Sequence, residues 1–590
     1  MVDFGSFGWH QKVGQALNPD HDGKCNLLRH GKLSTNAIRG INLRTEPIMA
    51  YIRSIATVMM LTVAPALAWA TAPMKGIAWS TWSGQLFDRA SREHKFVLLS
   101  LGNQWCRDCH DMEADTYADE TVQELIEKRY VAVRVDNSAS PDLANRYWSY
   151  GVPGVVIFNS DGGEIVREGG YMSPREMSSL LQAVIDDPSP GPSVKPEPVV
   201  QYSSSPVIDT TVLRELRKSF ESAYDIPAQG WAFAVQYLDS EFVEYGLTFS
   251  GDGGRVDDRY LRFAIQRSRQ LIDPTWGGVY QSLVVPVSEN DGHDGSQFIR
   301  IQIGGRLDAT GDSWNAPLFE KTASTQAEAM EIYAAGYRRW HDREDLAAAL
   351  HVAAYVKYFL QDRDGGFYAG QAGYVERLPD SEKYFSKDDR GRRELGIPTI
   401  DKHIYARENG RLIAGLCKLY LITSDRSFLQ DAERSAQWVI KHRALPGGGF
   451  SHSYHDDGGP YLVDSLEMGR AFLALYMATH SVSWLKRAES ACDFIAKTIV
   501  KHTTSGVLSS ASATDARYKP HANREENATL ASFASDLVKL TGSQRDRDLA
   551  VFAMRFLVTK EIAESNLPAP ILLATTRYMS IASSATVPGN

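Results

Sequence analysis

The chain has 590 residues, 43% hydrophobic and 23% charged, proportions of a soluble globular protein long enough for several domains. Its formal charge of -9 has no basic cluster against it, which argues against a nucleic-acid partner. Five cysteines are too few for a secreted scaffold built on disulfides.

Residues 1–48 have neither periodicity nor an apolar run and are expected to be an unstructured upstream extension containing Cys25. A secretory signal is read over 49–70. Tyr51-Ile52-Arg53 is its charged start, Ile55 to Leu67 its apolar stretch, interrupted by Pro65, and Ala68-Trp69-Ala70 its small-x-small cleavage site. The apolar stretch falls short of the ~20 residues that span a bilayer, so cleavage near Thr71 is expected rather than a retained anchor. A signal acts from an N-terminus, so translation is expected to begin at Met49. The mature chain is expected to be periplasmic or secreted, with no stable membrane span.

Residues 75–186 alternate helix and strand. Ser80 to His94 reads as a helix, Phe96 to Leu101 as a buried strand, and Gly102-Asn103 as a break. Cys106 to Tyr117 and Glu120 to Lys128 read as helices, Tyr130 to Asp136 as a strand, and Asp142 to Tyr150 as a short helix. Val155 to Phe158 and Glu164 to Glu168 follow as strands, and Ser173 to Ile185 closes as a helix.

Trp105-Cys106-Arg107-Asp108-Cys109-His110 lies where strand gives way to helix. Free amides and the helix dipole favour a thiolate at Cys106, below the roughly 8.5 of a free cysteine, and Cys109 lies within disulfide reach one turn on. Such a pair has three readings. Zinc needs four ligands, and beyond His110 no second pair at metal-ligand spacing follows. A purely structural bridge closes too small a loop to restrain the unfolded chain much. Thiol–disulfide exchange is preferred if a βαβ context surrounds the motif, with Cys106 exposed as nucleophile and Cys109 resolving.

Residues 95–158 resemble thioredoxin-like domains with a Trp-Cys-x-x-Cys motif, including the periplasmic thiol:disulfide interchange type. The resemblance implies a cis proline at Pro153 facing the pair, with Trp105 and Val152 beside the client. Where such domains carry a buried Asp as proton acceptor, this chain has Ser100. Glu113 is the candidate base for Cys109, and a solvated helix-face Glu is the alternative. The longer pattern Cys106-x-x-Cys109-His110-x-Met112-Glu113, with Asp136 ending the next strand, resembles a narrower family. That family is described from a spermatogenesis-associated protein, in which such a domain precedes a helical toroid.

Pro188, Pro190, Pro192, Pro196 and Pro198 make 187–206 a semi-rigid linker. From 207 to 590 the chain reads as all-helical, with ten clear helices: Thr210 to Tyr224, Arg259 to Ile272, Thr322 to Trp340, Leu346 to Leu360, Tyr405 to Ile422, Ser427 to Lys441, Asp464 to Ala478, Ser483 to Val500, Glu525 to Leu540 and Asp546 to Leu557. A Gly-Gly-aromatic turn recurs at Trp276 to Tyr280, Asp364 to Tyr368 and Gly448 to Ser451, with a weaker copy at Ser505 to Leu508. Its aromatics either plug the ends of a helical ring or stack on sugar. Cys417 and Cys492 read as packing thiols.

The pattern resembles the (α/α)6 toroid of six-hairpin glycosidases and N-acylglucosamine 2-epimerases. Pro317 to Lys321, Gln326-Ala327, Asp401-Lys402, Asn409-Gly410, Asp464 and Asn527 resemble motifs of the spermatogenesis-associated family, with Leu318 where its motif has His. Glu320, Asp401, Glu408 and Asp464 are the candidate cavity carboxylates. An inverting glycosidase needs two of these roughly 6.5–9.5 Å apart. The run His452 to Asp457 is a possible metal or sugar contact, though a solvated loop is the plainer reading.

The expected fold is an α/β thioredoxin-like domain followed by an all-α toroid, with no cofactor and no metal. The expected function is exported thiol–disulfide exchange on protein clients through Cys106 and Cys109, the toroid positioning or selecting the client. The alternative is a carbohydrate-binding or carbohydrate-active toroid with an accessory thioredoxin-like domain.

Overall fold

In the computed structural model the described residues are 76–582, apart from 148–150, 195–202, 226–229, 232–234, 237–238, 252–257, 285–316, 379, 457, 502–505, 514–516 and 564–567. The expected extension, signal and cleavage site lie outside them.

The first domain runs α1 (Leu86–Glu93), β1 (Phe96–Gly102), α2 (Arg107–Asp111), α3 (Glu120–Arg129), β2 (Tyr130–Asp136), α4 (Pro141–Tyr147), β3 (Gly154–Phe158), β4 (Glu164–Gly169) and α5 (Pro174–Asp186). The sheet order is β2-β1-β3-β4, with β1 parallel to β2 and antiparallel to β3. A strand covered on both faces must be apolar throughout, which is why β1 reads as an unbroken run. Leu98, Val155 and Ile157 pack on one face against Met112, Val122, Ile126 and Met177, under α3 and α5. Val97, Leu99 and Phe158 pack on the other against Phe87, Leu143 and Tyr147, under α1 and α4.

Two boundaries differ from expectation. The helix read from Ser80 begins only at Leu86. Ser80 instead donates its N–H to Ala132 and accepts that of Arg134, which commits it to the sheet beside β2. The helix read from Cys106 to Tyr117 changes at Met112 into a π turn, Met112–Thr116. The early part of the expected linker is tethered. Gly191 donates to the Ile165 carbonyl, and the Ser193 hydroxyl accepts the Arg167 N–H, so this segment runs along β4.

The second domain has twelve long helices among the described residues: α6 (Thr210–Ser222), α7 (Ser240–Gly251), α8 (Asp258–Ser268), α9 (Ala323–Trp340), α10 (Arg343–Tyr355), α11 (Ala406–Thr423), α12 (Arg426–Arg443), α13 (Leu462–Thr479), α14 (Val482–Phe494), α15 (Arg524–Thr541), α16 (Gln544–Leu557) and α17 (Pro568–Ala582). The two beyond the expected ten are α7 and α17. Helices α7, α9, α11, α13, α15 and α17 pack in that order into a closed inner ring, and the alternate helices cover its outside. The inner helix α13 is buried on every side, as a helix walled by neighbours must be. At Gly410 a side chain would stand 2.7 Å from the Glu467 backbone, so only glycine lets α11 and α13 approach so closely.

The Gly-Gly turns explain the repeat. The Gln326 amide accepts the Val279 N–H and donates to its carbonyl; Asn409 does the same for Phe367, and Asn527 for Val507. At the Gly448 to Ser451 turn the Ser465 hydroxyl accepts the Phe450 N–H. Each turn is thus clamped by a polar side chain in the first turn of an inner helix. Phe367 and Phe450 are buried, so these aromatics plug the ring.

The domains are interlocked. Tyr518 of the toroid is part of the first domain's core, its ring edge-on to Trp82 and beneath the Arg146 guanidinium. Around it Arg517 pairs with Asp88 at 2.8 Å, and Arg146 donates to the Lys519 carbonyl at 3.2 Å.

Candidate active site

Where β1 ends, the Asn103 carbonyl accepts the Cys106 N–H and turns the chain into α2. Cys106 caps α2 and is bridged to Cys109, whose N–H donates to Cys106 Sγ at 3.1 Å. Both cysteines are only 5% exposed, so the expected exposure of Cys106 is not found. Cys109 packs among first-domain residues, Leu101, Met112 and Pro153, and α2 also lies against the toroid, the His110 ring 6.2 Å from that of Tyr374. Trp105 and Val152 are half-buried.

The Val152–Pro153 peptide is cis. Pro153 and Cys109 line a cavity of about 10 Å³, room for one water, together with Ser100, Glu113, Tyr117 and Arg134. Glu113 is ion-paired to Arg134 at 2.9 Å, and that guanidinium lies over the Trp79 ring. Ser100 is occupied by the Tyr117 hydroxyl, which donates to it at 3.1 Å; burial pushes Tyr117 up to about 12. Glu113 is therefore the carboxylate that shares this cavity with Cys109. Its pairing with Arg134 removes the solvated-face alternative.

The four toroid carboxylates do not form one cavity set. Asp401 accepts from His403, ring nitrogen to oxygen 2.6 Å. The His403 ring stacks on Tyr405, which stacks on His452. His452 Nδ1 lies 2.9 Å from Asp464, and Nε2 lies 2.8 Å from the Ser138 carbonyl of the first domain. His452 is thus a buried interface residue rather than part of a solvated loop. Asp464 also accepts the Arg407 N–H, and Glu408 holds the Arg407 guanidinium. Asp136, at the end of β2, faces this cluster; burial and then Asp401 push it up to about 6. Glu320 lies apart, near Asp108 of α2, and burial pushes it up to about 7.

The chamber of about 150 Å³ inside the ring is lined instead by Arg407, Arg411, Glu467, Glu525 and Glu526, with Asn145 contributed by the first domain. Glu526 escaped the sequence reading. Three residues after the cap Asn523, it has the pattern of an ordinary helix start. Its Oε1 accepts from Asn145 at 2.6 Å, Oε2 is buried without a protein partner, and burial pushes it up to about 8.

Residues 67–163 match the family model Thioredox_DsbH, "Protein of unknown function, DUF255". The chain is similar to spermatogenesis-associated protein 20 of Mus musculus, 22% identical over 331 residues, covering 50% of this chain and 38% of that protein. The matched region therefore spans well under half of that relative. It is also similar to thiol:disulfide interchange protein DsbD of Colwellia psychrerythraea, 24% identical over 102 residues, 16% of this chain and 17% of that one. Among solved structures, cellobiose 2-epimerase from Spirochaeta thermophila aligns with a TM-score of 0.42 at 14% identity, covering 63% of this chain and 99% of that one.

Proposed function

We propose that the protein is an exported thiol–disulfide oxidoreductase that uses Cys106 and Cys109, with protein thiols or disulfides as clients and the toroid selecting among them. The observation that carries this reading is the bridged pair at the start of α2, with Cys109 sharing a cavity with Pro153 and Glu113. In the reducing direction the Cys106 thiolate attacks a client disulfide and forms a mixed disulfide, releasing one client thiol. Cys109 then attacks the Cys106 sulfur, frees the second client thiol and closes the protein disulfide. Glu113 takes the Cys109 proton. Cys109→Ser should trap a covalent client complex and Cys106→Ser should trap none; equal trapping by both variants would refute these roles.

A second reading, a carbohydrate-binding or carbohydrate-active toroid, is supported by the chamber with its unpartnered Glu526 oxygen. Sugar turnover that survives Cys106→Ser would put this reading first.

A further inference from the structure

The redox helix is flanked by charges from both domains. On α2 stand Asp108 and Asp111, with Arg107 3.5 Å from Asp111. The toroid contributes Tyr374, edge-on to His110, and Glu320, which packs on the neighbouring Gly373: a Cβ there would stand 3.1 Å from Glu320 Cδ. Glu376 and Arg377 follow as exposed residues. Acids outnumber bases around the pair. The field is felt at Tyr374, whose hydroxyl is pushed up to about 12 by burial and then by Asp111 and Glu376, Arg107 opposing and Glu320 adding.

We infer that the toroid completes the redox site, and that Glu320 and Tyr374, together with Asp111, select narrow disulfides of positive charge over anionic ones. The inference rests on the thiol–disulfide reading above. With Cys106 and Cys109 each only 5% exposed, the approach admits a slender ligand. The acids on both sides attract a cation toward the Cys106 sulfur and oppose a carboxylate. The reaction balances within the pair: the reduced dithiol gives up two electrons and becomes the disulfide, and the substrate disulfide takes two electrons and two protons to leave as two thiols. Glu320 and Tyr374 act as positioning and selecting residues, without bonding to the reacting sulfurs.

The test uses the full chain, reduced with dithiothreitol and desalted. At pH 8, above the value of about 7 to which burial pushes Glu320, the rate of dithiol loss is followed by alkylation and mass spectrometry against cystamine, a dication, and glutathione disulfide, an anion. Cystamine is expected to react about tenfold faster at low salt, the preference shrinking about threefold in Glu320→Gln and again in 0.5 M salt. Asp111→Asn, on the first domain, should shift the preference in the same direction, so a fold defect in the toroid variant does not hide the effect. Tyr374→Ala should raise the rate with insulin relative to cystamine, and Tyr374→Phe should restore the wild-type ratio. Equal rates for the two small disulfides, or a preference unmoved by both charge variants, would overturn the inference. Failure to react with either disulfide would refute the underlying redox reading instead.

Discussion

Tyr518 of the toroid lies edge-on to Trp82 of the thioredoxin-like domain, ring centroids 5.0 Å apart and planes at 81°. It is 5% exposed within the other domain's core, so the two domains share packing that neither has alone. Tyr518→Ala should cost about 3–5 kcal/mol, as for other buried aromatics cut to alanine. Calorimetry should then resolve two transitions where the wild type gives one. A single transition at the wild-type temperature would contradict the shared core.

The amide clamps make a separate stability prediction. Asn409→Ala and Asn527→Ala each leave a buried N–H and carbonyl of the facing turn unpaired. Each should lose about 1–3 kcal/mol in denaturant unfolding. Neither residue touches the redox pair, so dithiol reactivity should stay at the wild-type rate.

Glu526 predicts a pH dependence. Burial raises its folded value to about 8, above that of an ordinary carboxylate near 4.5. Below about 4.5 both states are protonated. As pH rises toward 8 the unfolded state ionises while the folded state stays neutral, so stability is lost with rising pH across that window. Glu526→Gln removes the cost and can still accept from Asn145. Its melting temperature should exceed the wild type by about 2 °C at pH 8.5, with the gain shrinking toward zero at pH 4.5. A gain independent of pH would show that Glu526 does not titrate as described.

Much of this fold was legible because local signals agreed with burial. The unbroken apolar run of β1 announced a strand covered on both faces, and the break at Gly102-Asn103 placed Cys106 at a helix start. The ring was read two helices short for a local reason. Helix α17 opens on Pro568 and Pro570, which break the helical pattern locally although both sit in its first turn, where a missing N–H costs no helical bond. Helix α7 is studded with glycine and aromatics. The motif amides Gln326, Asn409 and Asn527 were legible only as family motif positions; in the structure they hold backbone. Their partners lie 47, 42 and 20 residues away. Contacts such as Asn145 with Glu526, 381 residues apart, leave no local signature, so the chamber residues stayed hidden.

Glu113 offers a mechanistic test. If it takes the Cys109 proton, Glu113→Gln should slow resolution of the mixed disulfide about tenfold or more, while the initial attack by Cys106 slows less. Single-turnover kinetics across pH separate the two steps. An equal slowing of both would assign Glu113 a purely structural role with Arg134.

The most direct measurement is a redox titration of the intact chain in glutathione buffers, read by alkylation and mass spectrometry. Cys106 and Cys109 are expected to titrate together as one reversible two-electron couple, with a midpoint between about -270 and -120 mV, the range of thioredoxin-like exchangers. A pair that stays oxidised well below this window, at potentials where structural disulfides persist, would contradict it and leave the bridge as a structural staple.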